Sequence, residues 1–344
     1  SLYVDQFPES DLSRERESRH DGLRIYPSIA EALRLGGGEL AVDGVLLIAE
    51  HGDYPLNDKG QTLYPRYEFF QEMAGVFRDS ARSVPVFCDK HLSWNWEWAR
   101  EMVDTSRELG FPFMAGSSVP VSRRIPSVDL PWQAPVEEIV GLGVGGIDSY
   151  DIHALEGMQC LVERRRGGET GVTSIHALRG DSVWQAMDDG AWDATLFEAC
   201  LCRSLSLQRV DETHRHTYPR REELPELVGQ PPVAYFIEYA DGLKATMLLM
   251  EGLVRDITAA ARITGQQNPF SLLFYLGAGH EMQPNFFNPL SHHIEELILT
   301  GRTPFPIERT LLVSGILDAL LESRIRDHER LATPHPDVAY RVPE

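Results

Sequence analysis

Val42-Asp43-Gly44-Val45-Leu46-Leu47-Ile48-Ala49 is the stretch on which the fold turns. It is a β-branched and aliphatic run, the pattern of a parallel strand buried on both faces. On its upstream side, Ser28 stands three residues before Glu31, the spacing of a capping box, so a helix starts there and ends at Gly36-Gly37-Gly38. Downstream, residues 50–64 are polar and form a loop, and Tyr67–Arg78 reads as an amphipathic helix. Val84-Pro85-Val86-Phe87-Cys88 is a second buried strand, Trp96–Leu109 a helix stopped by Gly110, and Phe113–Gly116 a third strand. Leu2–Asp5 and Leu23–Tyr26 are short strands around a charged helix over 10–20, with Asp11 as its N-cap. This alternation predicts a right-handed, mostly parallel α/β sheet through residue 118.

After residue 118 the pattern changes. Pro120, Pro126, Pro131 and Pro135 mark a crossover into a second unit, 119–344. Val136–Gly146 reads as a strand with a glycine turn, Tyr150–Arg164 as a helix and Val172–Arg179 as a strand. Tyr235–Tyr239 and Leu243–Met250 form an antiparallel pair around Asp241-Gly242. Helices over Ser291–Leu299, capped by Ser291, and Arg309–Arg326 close the chain. Strands followed by helices describe an α+β unit with a large, mostly antiparallel sheet.

The chain of 344 residues carries a net charge of −20. So acidic a surface repels phosphate backbones and anionic membranes, so neither nucleic acid nor a membrane is an expected partner. The longest apolar runs fall far short of the roughly 20 residues a bilayer span needs. Cys88, Cys160, Cys200 and Cys202 make neither a disulfide framework nor a zinc spacing. A reduced, cytoplasmic protein is expected. His292-His293 diverge on a helix and His214-x-His216 lacks completing ligands, so no metal is expected. Arg164-Arg165-Arg166 reads as solvated surface.

Two clusters carry chemistry. Cys88-Asp89-Lys90-His91 follows a parallel strand, and open α/β sheets bind ligands beyond the carboxyl ends of their strands. A lysine there holds a substrate hydroxyl or favours loss of its proton. In Gly145–Glu156, Ser149, His153 and Glu156 share a helix face, and a histidine between acidic groups suits general acid–base work. The glycine run Gly141-x-Gly143-x-Gly145-Gly146 comes too late in the chain for a dinucleotide-binding turn, and no Walker loop, nucleophile elbow or His-Glu-x-x-His helix occurs in the sequence.

In this order the motifs resemble the glucose–fructose oxidoreductase/inositol dehydrogenase (Gfo/Idh/MocA) superfamily. Ile25–Leu33 resembles its short strand and helix, and Val42–Ala49 its central strand. Cys88-Asp89-Lys90-His91 stands where the family has Cys-Glu-Lys-Pro, and Phe113–Ser118 resembles the strand leaving its Rossmann domain. Gly145–Glu156 stands at its Asp-x-Gly-x-His-x-x-Asp helix, and Thr300–Pro304 resembles its Thr-Gly-Arg-x-Pro turn. The family's positions for Asp, Gly and Asp fall on Ser149, Asp151 and Glu156.

The resemblance implies a Rossmann-like sheet followed by an α+β domain, NAD or NADP as cofactor, and hydride transfer at a carbohydrate or polyol carbon. It makes Lys90 and His153 catalytic, with Asp151, or else Asp148, replacing the lost carboxylate. Asp5, Glu50, His51, Asp89 and Lys90 become cofactor-binding, and Lys90, Asp148, Tyr150 and His153 substrate-binding. It casts Leu2–Asp5 as the second Rossmann strand, with the first strand and phosphate-binding turn upstream of Ser1 and apolar sheet edges left unpaired. A homo-oligomer is also implied, which alternating exposed apolar residues on 235–239 and 243–250 would fit. Two alternatives stand beside this reading: a non-redox sugar lyase, hydrolase or epimerase, and a non-catalytic sugar-binding protein.

Overall fold

The computed structural model describes residues 1–207, 219–277, 285–333, 335 and 337–343. It begins with β1 (Leu2–Tyr3), α1 (Ser13–Arg19), β2 (Ile25–Tyr26), α2 (Ile29–Arg34) and β3 (Val45–Leu47). Then come α3 (Arg66–Asp79), β4 (Val86–Cys88), α4 (Trp96–Glu108) and β5 (Phe113–Ala115). Ser28 caps α2 through its hydroxyl, which accepts from Glu31 N at 3.1 Å. Asp11 lies one residue outside its predicted cap: Leu12 is the N-cap of α1, and the Asp11 carboxylate accepts from Ser13 N.

Strands β3, β4 and β5 form a parallel three-stranded sheet, in the order the alternation predicts. Period-two alternation splits its side chains between two layers. Val86, Cys88, Phe113 and Ala115 meet the residues of α3 and α4 in the main core, while Phe87 and Met114 point to the opposite face. Strands β1 and β2 pair in parallel with each other and not with β3. A cavity of about 430 Å³ separates β1 from β3, lined by Leu2, Tyr3, Val45 and Leu47 among others. This corrects the expectation that β3 is buried on both faces: Leu46 is 51% and Ile48 58% exposed, because β3 is a sheet edge.

The second half contains β6 (Arg124–Ile125), β7 (Val136–Gly143), α5 (Asp151–Val162), β8 (Val172–Arg179), α6 (Asp181–Asp188), α7 (Ala194–Arg203) and α8 (Leu224–Leu227). It continues with β9 (Val233–Tyr239), β10 (Lys244–Leu249), β11 (Ile257–Ile263), β12 (Phe270–Phe274), α9 (Asn288–Thr300), α10 (Glu308–Ile325) and β13 (Leu331–Ala332). These strands build an eight-stranded sheet in the order β13-β8-β9-β10-β7-β11-β12-β6. Only β10–β7 is parallel among its pairs. Hairpin β9–β10 turns at Asp241-Gly242 with Lys244 opposite Glu238, as the sequence predicts.

Both faces of this sheet are covered by the chain itself. Tyr235, Ile237, Met247, Leu249 and Ala259 pack with α5 and α10, whereas Val140, Leu142, Ala234 and Leu248 pack with Val183, Trp184, Leu196 and Phe197 of α6 and α7. The expected exposed apolar residues on β9 and β10 are therefore buried, since α6 and α7, which the sequence reading left in a mixed stretch, shield that face. Helix α9 begins at Asn288 rather than after Ser291, with proline in its first turn, and ends at Gly301 as expected (φ 72°). Leu290 and Leu297 of α9 pack on Phe87 and Met114, so the end of the chain returns to cover the second face of the parallel sheet.

Buried ion pairs tie α5 to its neighbours. Arg165 is 2% exposed, not solvated as expected, and binds Glu169 at 3.2 Å and Asp241 at 2.7 Å. Arg309 of α10 donates to Glu163 at the end of α5, 2.9 Å from Nε to Oε2, and Tyr340 donates to the same carboxylate at 2.8 Å. Removing one partner strands the other's charge away from water. Arg309→Leu is expected to cost about 3–5 kcal/mol, read from urea unfolding midpoints. A loss below about 1 kcal/mol would show that the pair does not anchor α10.

Candidate active site

Lys90 leaves the parallel sheet just beyond β4. Asp89 N still donates to Leu47 O of β3 at 2.9 Å, so the chain departs from the ladder at Lys90. Lys90 Nζ donates to Asp89 Oδ2 at 2.9 Å and also to Glu50, which stands past the end of β3. Burial and the nearby Glu50 charge push Asp89 up to about 6, against the pull of Lys90. Burial acts upward on Glu50 too, but hydrogen bonds from Asp89 and Lys90 outweigh it and lower its pKa.

His153 approaches from the other side, on the first turn of α5. Its Nδ1 lies 2.5 Å from Ser117 Oγ, just past β5. That contact leaves Nε2 as the nitrogen free for chemistry. Burial, with the Lys90 charge second, lowers His153 to about 4, so the ring is neutral near pH 7. Glu156, one turn further along α5, is fully buried; it accepts from Ser117 N at 2.5 Å and from Thr310 Oγ1 of α10 at 2.6 Å. Gly116 must be glycine here. Its φ is 121°, and a Cβ would fall 2.7 Å from both Glu156 carboxylate oxygens.

Between Lys90 and His153 lies a cavity of about 370 Å³, also lined by Glu50, His51, Asp148 and Tyr150. Six of the nine residues assigned site roles from the sequence thus converge, with Ser149 and His91 beside them. Asp89 supports Lys90 from behind. Asp151 does not reach the cavity, a correction to its catalytic assignment. As the first residue of α5 it turns under the site with no exposure, and its carboxylate accepts from Tyr235 Oη and Asp148 N, both at 3.1 Å. Burial raises it to about 6. The carboxylate that lines the cavity is Asp148, whose φ of 64° turns the chain; its Oδ2 accepts from Thr62 N at 2.7 Å, and its Oδ1 faces His91 Nε2 at 3.9 Å without a hydrogen bond.

Asp5 sits apart from this cavity, beyond β1, where it accepts from the hydroxyls of Tyr3 and Tyr54 at 2.9 and 2.8 Å. His214 and His216 lie outside the described residues, and no group of three or more His, Cys, Asp or Glu that could hold a metal occurs among those described. No described helix is long and apolar enough to cross a membrane.

Two buried basic residues of the cavity were given no role by the sequence reading, His91 of the Cys88–His91 cluster and Arg66. His91 is 6% exposed, and burial lowers its pKa. Arg66 is 3% exposed, at the first position of α3. An arginine in the first turn of a helix stands against the macrodipole, and that is the signal by which it could have been found.

The architecture matches that of solved dehydrogenases. GenD2 from gentamicin A biosynthesis, solved in complex with NAD, is 12% identical over 93% of this chain and 85% of its own, with a TM-score of 0.56. Myo-inositol dehydrogenase from Lactobacillus casei, solved with NAD(H) and myo-inositol, is 12% identical over 94% and 87%, with a TM-score of 0.53. A myo-inositol dehydrogenase from Corynebacterium glutamicum is 11% identical over 93% and 87%, with a TM-score of 0.52. No family model and no curated protein matches the sequence. At these identities the likeness establishes the fold alone: a Rossmann-like parallel sheet with a large, mostly antiparallel sheet, as in these dehydrogenases.

The Glu156 carboxylate gives the site a pH signature. Burial raises it from 4.5 to about 7. Between those values the native state binds more protons than the unfolded chain, so its contribution to stability falls as pH rises through that window. Glu156→Gln removes this titration. The urea midpoint of the wild type is expected to drop relative to that of the variant between about pH 4.5 and 7. Parallel curves across that range would show that Glu156 titrates normally.

Proposed function

We propose that this protein is an NAD(P)-dependent oxidoreductase acting on an alcohol carbon of a carbohydrate or polyol. The observation that carries the reading is the convergence of Lys90 and a neutral His153 on one cavity beyond the carboxyl ends of β3 and β4. The fold likeness supports it, since structural neighbours include inositol dehydrogenases solved with NAD(H). Fold by itself does not assign chemistry, so the reading rests on the site.

The residues present suit both ends of a dinucleotide. The Asp5 carboxylate beyond β1 offers acceptors to a ribose diol, and Glu50, Asp89 and Lys90 beyond β3 and β4 surround the place of a nicotinamide riboside. When bound, the nicotinamide supplies a two-electron hydride acceptor or donor. The chain's own residues do the rest. Lys90, held between Glu50 and Asp89, orients and polarises the reacting oxygen. With Nδ1–H donated to Ser117 Oγ, His153 Nε2 takes the hydroxyl proton during oxidation and returns it during reduction. Asp148 Oδ1 accepts from a second hydroxyl, and Tyr150 covers the cavity with its ring 6.0 Å from that of His153.

Calorimetric titration with NAD(H) and NADP(H), followed by the absorbance of reduced nicotinamide during a polyol and sugar screen, tests the reading. Lys90→Met and His153→Asn are each expected to lower turnover by about 10²-fold or more. The acid limb due to His153 should appear only as pH falls toward about 4, because the neutral ring is the base. Nucleotide binding with unchanged turnover in both variants would refute the assigned roles, and no nucleotide binding would refute the redox reading.

A further inference from the structure

Arg66 is the part of the cavity that hydride transfer leaves unused. Its side chain is 3% exposed and its guanidinium lies over the Tyr64 ring, 4.9 Å from the centroid. Neither Nε nor Nη1 has a hydrogen-bond partner, and Arg66 forms no ion pair among the described residues. The other arginines buried as deeply behave differently. Arg165 lies on Glu169 and Asp241, and Arg309 on Glu163.

A guanidinium keeps its charge in proteins, so burial cannot neutralise it by proton loss. A buried charge without a counter-charge costs several kcal/mol. Its place at the start of α3 adds the positive end of the helix to the same point. The open valence is local. Of the ten buried side-chain atoms without a hydrogen bond among the described residues, four belong to Arg66, His91 and Asp148, all lining this one cavity.

We propose that Arg66 receives a carboxylate of the substrate, so that the substrate class is a sugar acid or polyol acid rather than a neutral sugar. This rests on the reading above that the cavity is the substrate site. A planar fork matches a carboxylate in bidentate fashion. Glu50 and Asp148 line the same space with Arg66, Lys90 and Arg255, which leaves one cationic charge in excess, matched by a single carboxylate rather than by the two charges of a phosphate. His91, whose Nε2 faces Asp148 Oδ1 at 3.9 Å, then has its unbonded Nδ1 left for a hydroxyl of the same molecule.

The test is calorimetric titration of the full chain with glucose, glucuronate and glucose 6-phosphate, each with and without NAD(H). Glucuronate is expected to bind at least about 10-fold more tightly than glucose, and Arg66→Met to abolish that preference. Arg66→Lys, which keeps the charge and loses the fork, should retain part of it. Arg66→Met should also melt higher than the wild type without ligand, because an unpaired buried charge is replaced by an apolar chain. A lower melting temperature would instead make Arg66 a structural residue.

Equal wild-type affinities for glucose and glucuronate would overturn the proposal without any variant, and so would tighter binding of the phosphate. Glucuronate preference without nucleotide binding would keep this inference and sink the redox reading. Nucleotide-dependent turnover of neutral sugars with no acid preference would do the reverse.

Discussion

The site depends on one buried carboxylate. Glu156 joins the exit of β5, through Ser117 N, to helix α10, through Thr310 Oγ1. It stands on α5, one turn after His153. The parallel sheet that carries Lys90 and the helix that carries His153 are thereby held at a set distance across the cavity. Ser117 serves both ends of this arrangement, with its amide on Glu156 and its hydroxyl on His153. Gly116 lets the backbone come close enough, since a side chain there would occupy the carboxylate's place. The cost is a carboxyl group kept out of water, visible as a pKa raised to about 7.

Buried charge is handled in two ways in this chain. Around the far end of α5, Arg309 and Glu163, and Arg165 with Glu169 and Asp241, are paired and closed. At the start of α5 and α3, Asp148 Oδ1, His91 Nδ1 and Arg66 are left open around a cavity. Closed pairs hold helices in register, whereas the groups without hydrogen bonds gather at the cavity. The overall net charge of −20 conceals this, because the cations that matter are few and are drawn into the site.

Much of the fold was legible in the chain. Val42–Ala49, Val84–Cys88 and Phe113–Gly116 announce parallel strands, and the Ser28–Glu31 cap announces a helix. That Lys90 and His153 line a cavity was legible because one follows a parallel strand and the other opens a helix. Asp148 and Asp151 were both read as site residues, but their roles could not be separated. The left-handed turn at Asp148 sends one carboxylate into the cavity and the other beneath it. Strands β9 and β10 alternate as the sequence suggests, yet only the packing of α6 and α7 shows that both faces are covered.

The sequence by itself determined the parallel strands of the first half, the antiparallel β9–β10 pair of the second, and the places of Lys90 and His153. These follow from local periodicity, capping and turn chemistry, which act over a few residues. Only the tertiary structure decided which charges are paired. Arg165 and Arg66 look alike as isolated arginines, but one lies against Glu169 and Asp241 and the other against no carboxylate. Desolvation and ion pairing depend on what distant segments bring alongside, and that information exists only once the chain has packed.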